Sequence, residues 1–230
     1  RGTTDFNATK CALCGQCITH CPVGALHERD DTRNLLDALG DPDKIVIAQV
    51  APAVRTAWGE DLGLTREQAT VGKMVSALRT IGFDYVFDTD FAADMTIMEE
   101  GSELLERLSH KEDYSWPMFT SCCPGWIRFL KHEYPEFTKN LSSAKSPQQM
   151  FGSIAKTYFA KKLGVVAEKI VCVSIMPCIA KKYEADVPQV SSASEKDVDI
   201  VLTTREICRM LRSGGLDFAK IQESEFDAPL

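Results

Sequence analysis

Five apolar runs of four to seven residues punctuate this 230-residue chain: "IVIAQV" (45–50), "YVFDT" (85–89), "MFTS" (118–121), "IVCVSIM" (170–176) and "DIVLT" (199–203). Each is short for a helix and lacks the clean alternation of a strand with one wet face, so each reads as a buried strand. Helical stretches separate them at 66–81, 91–108, 124–133, 147–163 and 204–213, with Thr65 and Thr203 as the N-caps of the first and last. Strands that alternate with helices need crossover connections. That implies an α/β fold with a mostly parallel sheet and flanking helices. In such folds functional residues gather where strands end and helices begin. Three segments fall there: "APAVR" after the first strand, "CCPGW" after the third and "MPCIAKKYE" after the fourth.

The first 44 residues differ in character. Residues 1–30 are cysteine-rich with almost no apolar periodicity, and 31–44 form a connector with a short helical stretch ahead of "GDPDK". Residues 45–230 carry the α/β pattern. A net charge of −7 argues against nucleic-acid binding, which needs a basic stripe. No apolar run reaches the ~18 residues of a membrane-spanning helix, so no membrane insertion is expected. No secretory signal is visible, and a start at Arg1 rather than Met leads us to expect a missing amino terminus.

Nine cysteines, four of them within eleven residues, point to a metal site rather than a disulfide scaffold. A reducing or oxygen-poor setting follows. The cytoplasm is the expected compartment, with the periplasm as the alternative. "CALCGQCITHCP" has the spacing C-x2-C-x2-C-x3-C-P, with Cys11, Cys14, Cys17 and Cys21 followed by Pro22. This is the bacterial ferredoxin spacing for 4Fe-4S clusters. Zinc ribbons separate two C-x2-C knuckles more widely. In two-cluster ferredoxins the fourth cysteine serves the other cluster. On that pattern Cys11, Cys14 and Cys17 lack a fourth ligand, and Cys21 belongs to a cluster whose other ligands lie upstream. The run then reads as a partial ferredoxin-like module; the alternative is one cluster held by all four.

"TSCCPGW" and "MPCIAKKYE" closely resemble the first two signature motifs of the iron-only (FeFe) hydrogenases. The resemblance runs from Lys10 to the carboxyl end through "VAPAVR", "TIMEEGSELLER", "NLSSAKSPQQ" and "SEFDAPL". It implies an H-cluster, a 4Fe-4S cubane joined by a cysteine sulfur to a two-iron unit carrying CO, cyanide and a dithiolate bridge. It also implies reversible reduction of protons to H2, with electrons relayed by the amino-terminal clusters. Ferredoxin or a redox subunit would be the electron partner, and maturation proteins would build the two-iron unit.

By motif match, Cys123 and Cys178 would bind the cubane, while Cys122 would pass protons to the amine bridge of the two-iron unit. The chemistry of the residues agrees with that division. Thiolates are soft iron ligands. A thiol at the helix start that Pro124 and Gly125 suggest can have its pKa lowered toward neutrality, which suits proton relay. Glu100, Glu103 and Arg107 fall on one helical face. A bare charge pattern of this kind reads as a solvated face with a salt bridge; the resemblance makes it, with Ser142, the family's proton pathway. Glu99 would face elsewhere. Lys181 would hold one cyanide, with Glu184 as its structural partner. Ala51 and Pro52 would line the site of the other cyanide, although many family members carry Ser where this chain has Ala53. Met176, Pro147 and Gln148 match further pocket residues.

Cys172 and Cys208 sit among apolar residues and read as core, and Trp58, Trp116 and Trp126 as packing residues. No histidine shows ligand spacing. A complete family member has a third, cysteine- and glycine-rich motif that supplies two more ligands, and nothing after Cys208 can fill that role. The expectation is an incomplete catalytic domain that, alone, neither holds a complete H-cluster nor turns over hydrogen. Two other readings are a non-catalytic relative of cytosolic iron–sulfur assembly and an electron-transfer module. The first tends to lose the relay cysteine and the two-iron pocket; the second does not need the long remainder of the chain.

Overall fold

The computed structural model describes residues 8–188 and 196–228. At its centre lie four strands, β1 (Ile45–Val50), β2 (Tyr85–Asp88), β3 (Ile170–Met176) and β4 (Ile200–Thr203). Their order is β2-β1-β3-β4, and all three pairings are parallel. The inner strands explain their own composition. Ile47, Ala48, Val50, Cys172 and Val173 are fully buried, as a strand covered on both faces requires. Each buried Val or Ile side chain contributes roughly 1.5–3 kcal/mol.

The run at 118–121 does not enter the sheet. Phe119 makes one isolated parallel bridge to Leu141, its amide donating to the Asn140 carbonyl and its carbonyl accepting from Ser142. Pro117 brings no amide to a ladder, and the Asn140 side chain donates to its carbonyl instead. The segment is a tether between two loops, so "CCPGW" follows a bridge rather than a third strand of the sheet.

Ten α-helices surround the sheet among the described residues: α1 (Gln16–Thr19), α2 (Thr32–Leu39), α3 (Pro52–Ala57), α4 (Val71–Thr80), α5 (Asp90–Ser109), α6 (Pro124–Glu133), α7 (Pro147–Ile154), α8 (Ala160–Leu163), α9 (Ala180–Ala185) and α10 (Thr204–Ser213). The helix expected at 66–81 begins only at Val71. Thr70, not Thr65, caps it by accepting from the Lys73 amide. Residues 65–69 form a separate turn whose Ala69 carbonyl accepts from the buried Trp58 indole, so tertiary packing overrides helix propensity there. The stretch 147–163 is one rod interrupted by a π-turn at Ala155–Phe159, where Lys156 reaches Asp199. Thr203 does cap α10, in a full capping box with Glu206.

Glu206 has a second task. Its buried carboxylate accepts from Lys182 of α9 and from the Asp31 amide of the connector, while Lys182 also donates to Asp31 and to the Val201 carbonyl. This network ties residues 31–44 and α9 to the sheet. Removing one charge would strand the others, at a cost of about 3–5 kcal/mol.

Candidate metal centre

Cys123 occupies the N-cap of α6. Its Sγ accepts from the Trp126 amide at 3.4 Å, and Pro124 fills the first helical turn, where its missing amide costs nothing. Cys122 and Cys123 are both exposed. Cys178 lies between the end of β3 and the start of α9, half-buried, its carbonyl accepting from the Lys181 amide. Helices α6 and α9 pack on one another, which brings the two cysteine loops to one side of the domain.

Lys181 joins those loops directly. Its Nζ donates to the Cys122 carbonyl at 2.8 Å and to Glu184 Oε2 at 2.9 Å. Glu184 Oε2 also accepts from Ser146 and from Gln148, each at 3.0 Å. Gln148 donates further to the Lys181 carbonyl, and its own carbonyl accepts from the Gln49 side chain of β1. Pro147 opens α7 beside these groups. Ala51 is the extended N-cap residue of α3, bonded through its amide to the Ile175 carbonyl, and Pro52 is the first residue of that helix. Met176, nearly buried, ends β3. Parallel pairing thus brings the Ala51 and Met176 segments side by side at the C-terminal edge of the sheet.

A second group forms between α5 and the 142–143 loop. Glu103 Oε1 accepts from Arg107, and Glu103 Oε2 accepts from Ser142 Oγ at 2.6 Å and from the Ser143 amide at 3.0 Å. Partial burial works to raise the Glu103 pKa, but the hydrogen bonds from Ser142, Arg107 and Ser143 outweigh it and hold the carboxyl below its ordinary value. Arg107 is 4% exposed, donates to the Leu141 carbonyl and lies over the Tyr114 ring. A surface hollow of about 420 Å³, lined by Glu99, Ser102, Glu103, Glu106, Ser143 and Lys145 among others, opens this group to solvent. Glu99 faces that hollow. A larger hollow of about 610 Å³ between α2, α4 and α10 holds none of the cysteines. Glu100 stays outside both groups. Its Oε1 is buried without a hydrogen-bond partner among the described residues.

The amino-terminal cysteines dock against the same region. Gly15 has φ +78°, a conformation that favours glycine, and a Cβ there would lie 2.6 Å from Ile179 Cδ1, so a larger residue would have to push that side chain aside where this loop closes on the residue after Cys178. Arg128 of α6 donates to the carbonyls of Cys11 and Thr9. The Cys21 thiol is lowered from its usual pKa by backbone amides, Val23 first, then Leu26 and Ala25.

This donor set fits iron–sulfur clusters. The seven cysteines at the two loops and in the amino-terminal run are exposed or half-exposed, whereas Cys172 and Cys208 are buried in the core as expected. Burial pushes the Cys172 thiol far up and the Cys208 thiol to about 11, leaving both inert. Among the described residues no three His, Cys, Asp or Glu side chains stand close enough to share one ion. The thiolates of a cubane bind separate irons and stand farther apart than that. Arg128 lies outside the motifs, and Ile179 and Tyr183 fall inside "MPCIAKKYE" without a role of their own, so none of the three was legible as a site residue. Their only sequence signal is nearness to Cys123 and Cys178.

Fold and donor set together define an iron–sulfur redox domain. Residues 44–230 match the family described as the iron-only hydrogenase large subunit, C-terminal domain, and the chain belongs to that family. Residues 4–27 match the 4Fe-4S binding domain. The chain is 54% identical over 226 residues to the NADP-reducing hydrogenase subunit HndD of Solidesulfovibrio fructosivorans, covering 96% of this chain and 39% of that protein. It is 47% identical to iron hydrogenase 1 of Clostridium pasteurianum, covering 95% and 45%. An apo [FeFe]-hydrogenase structure from Chlamydomonas reinhardtii superposes with a TM-score of 0.82 at 44% identity, covering 87% of this chain and 52% of that one. A cytosolic Fe-S cluster assembly factor of Xenopus tropicalis is 32% identical, covering 94% and 48%. The chain therefore spans about half or less of each of these relatives. The cofactors of the family are 4Fe-4S clusters and the H-cluster. No helix among the described residues is long and apolar enough to cross a membrane.

Proposed function

We propose that this chain is the part of an FeFe-hydrogenase that supplies Cys123 and Cys178 to the H-cluster cubane and runs the proton relay, in a protein that catalyses 2H+ + 2e− ⇌ H2. The observation that carries this reading is the Lys181 bridge, which joins the Cys122 loop to the Cys178 loop and fixes the lysine by Glu184. When bound, the H-cluster supplies the iron at which protons and electrons combine. The chain's residues supply the rest. Lys181 offers a positive donor to anionic ligands, Ala51 and Pro52 shape the opposite wall, and Pro147, Gln148 and Met176 close the pocket. Proton transfer needs a chain of exchangeable groups within reach of one another. Arg107, Glu103 and Ser142 make its solvent end, Glu100 continues it with an oxygen that has no hydrogen-bond partner among the described residues, and Cys122 Sγ delivers it.

Cys11, Cys14 and Cys17 hold the 4Fe-4S cluster that passes electrons, and Cys21 serves a second one. The electron partner is a ferredoxin or redox subunit, and maturation proteins supply the two-iron unit. A cytoplasmic setting suits this many free thiols. The second reading, a non-catalytic assembly protein, draws on the 32% identity to the Xenopus tropicalis factor. Retention of Cys122, Lys181 and the Glu103 group weighs against it. A hydrogenase assay of the matured holoprotein, with Cys122→Ala alongside, separates the two, since a non-catalytic protein evolves no hydrogen in either form. Hydrogen evolution measured by gas chromatography falls by more than ~100-fold with iron content unchanged if the relay reading holds, and stays at the parental level if it does not.

A further inference from the structure

We propose that Arg128 is a positioning residue that locks the amino-terminal cluster onto the catalytic domain and raises that cluster's reduction potential. The inference rests on the reading of Cys11, Cys14 and Cys17 as cluster ligands. Three observations carry it. Arg128 Nε donates to the carbonyl of Cys11 at 2.8 Å, and its Nη2 donates to that of Thr9 at 3.2 Å. Its guanidinium lies 4.6 Å from the centre of the Tyr183 ring. The backbones close in at the same place: a Cβ on Gly125 would lie 3.3 Å from the Ala12 carbonyl, and one on Gly15 would strike Ile179.

These contacts join the helix that carries Arg128 to two other cysteine-bearing segments. Arg128 sits on α6, whose N-cap is Cys123. Tyr183 sits on α9, behind Cys178 and Lys181. The carbonyls belong to the amino-terminal run. One side chain, 7% exposed, therefore ties together the three segments that carry the metal-binding thiols. Lysine could not replace it, because only a planar fork can stack on a ring and donate to two carbonyls in one geometry.

The charge has an electrostatic consequence. A 4Fe-4S cluster becomes more negative by one charge on reduction, and its potential depends on local charge, hydrogen bonding and solvent exposure. A desolvated cation bonded to the peptide of a cluster ligand stabilises the reduced form. It favours electron arrival at the cluster that faces the catalytic site.

The test is a redox titration of the holoprotein followed by electron paramagnetic resonance, with iron analysis of every sample. Arg128→Gln should lower the equilibrium constant for one-electron reduction of the amino-terminal cluster about tenfold, which is ~59 mV. Arg128→Lys keeps the charge and should retain more than half of that potential difference, while its magnetic coupling to neighbouring clusters weakens. Tyr183→Leu, which unseats the guanidinium without removing it, should give a fall of about threefold in the same constant. An unchanged potential in Arg128→Gln with full iron content overturns the proposal. So does an equal shift in Gln and Lys variants, which would trace the effect to packing alone. Should Arg128→Gln lose iron, the Tyr183→Leu potential decides, an unchanged value counting against the proposal. Iron missing from the wild-type amino-terminal run overturns the cluster reading, a separate result.

Discussion

Lys181 Nζ and the Cys122 carbonyl stand 2.8 Å apart, although 59 residues separate them in the chain. The contact turns two motifs into one site. It depends on Glu184, whose Oε2 accepts hydrogen bonds from Lys181, Ser146 and Gln148 at once and so holds the lysine in place. The lysine is 12% exposed and the glutamate 8%, so solvent does little to replace the bond.

Glu184→Leu should therefore cost about 3–5 kcal/mol of folding stability, because it leaves a largely buried ammonium without its counter-charge and takes an acceptor from Ser146 and Gln148. Ser146→Ala, which removes one neutral donor together with the N-cap of α7, should cost about 1–2 kcal/mol. Urea denaturation of the apo chain measures both. A Glu184→Leu cost below that of Ser146→Ala contradicts the anchoring role.

Glu103 gives a pH signature. Its folded pKa lies below the ordinary value of 4.5, so it binds its proton less readily in the folded state than in the unfolded one. The stability it contributes is fully present above that value and is lost as pH falls through the lower folded pKa. Glu103→Gln should be less stable than wild type by about 2–4 kcal/mol at pH 7, since it uncouples the buried Arg107. The gap should close steadily below pH 4.5, as urea midpoints at successive pH values would record. A gap that stays constant down to the acid limit contradicts the assignment of the charged carboxylate as the acceptor of Ser142 and Arg107.

Thiol reactivity separates site from core. At pH 7–8 a maleimide should modify the folded apo chain at Cys11, Cys14, Cys17, Cys21, Cys122, Cys123 and Cys178, and leave Cys172 and Cys208 untouched until denaturant is added. Burial keeps those two protonated, Cys172 most of all. Peptide mass spectrometry reads the pattern directly, and rapid native labelling of Cys172 contradicts it.

Much of this was legible in the sequence where residue type and neighbourhood agree. The runs at 45–50, 85–89, 170–176 and 199–203 became strands, because strands covered on both faces need continuous apolar residues. The helices at 124–133 and 204–213 have the bounds the pattern implied, since Pro124 and Thr203 are strong local start signals. The run at 118–121 looked like a strand only because four residues cannot report whether a neighbour is available. Thr65 looked like a cap because the packing of Ala69 on Trp58 is invisible in the sequence. In the site, Lys181 and Glu184 lie three residues apart and were readable together. Arg128 was not, because its partners come from a loop 117 residues away and from α9.

The most direct measurement is the iron anomalous density in an anaerobic crystal of the holoprotein. It should show one iron–sulfur cubane bonded to both Cys123 Sγ and Cys178 Sγ, with Cys122 Sγ unbound beside it. Iron on Cys122, or clusters that Cys123 and Cys178 do not share, would contradict it.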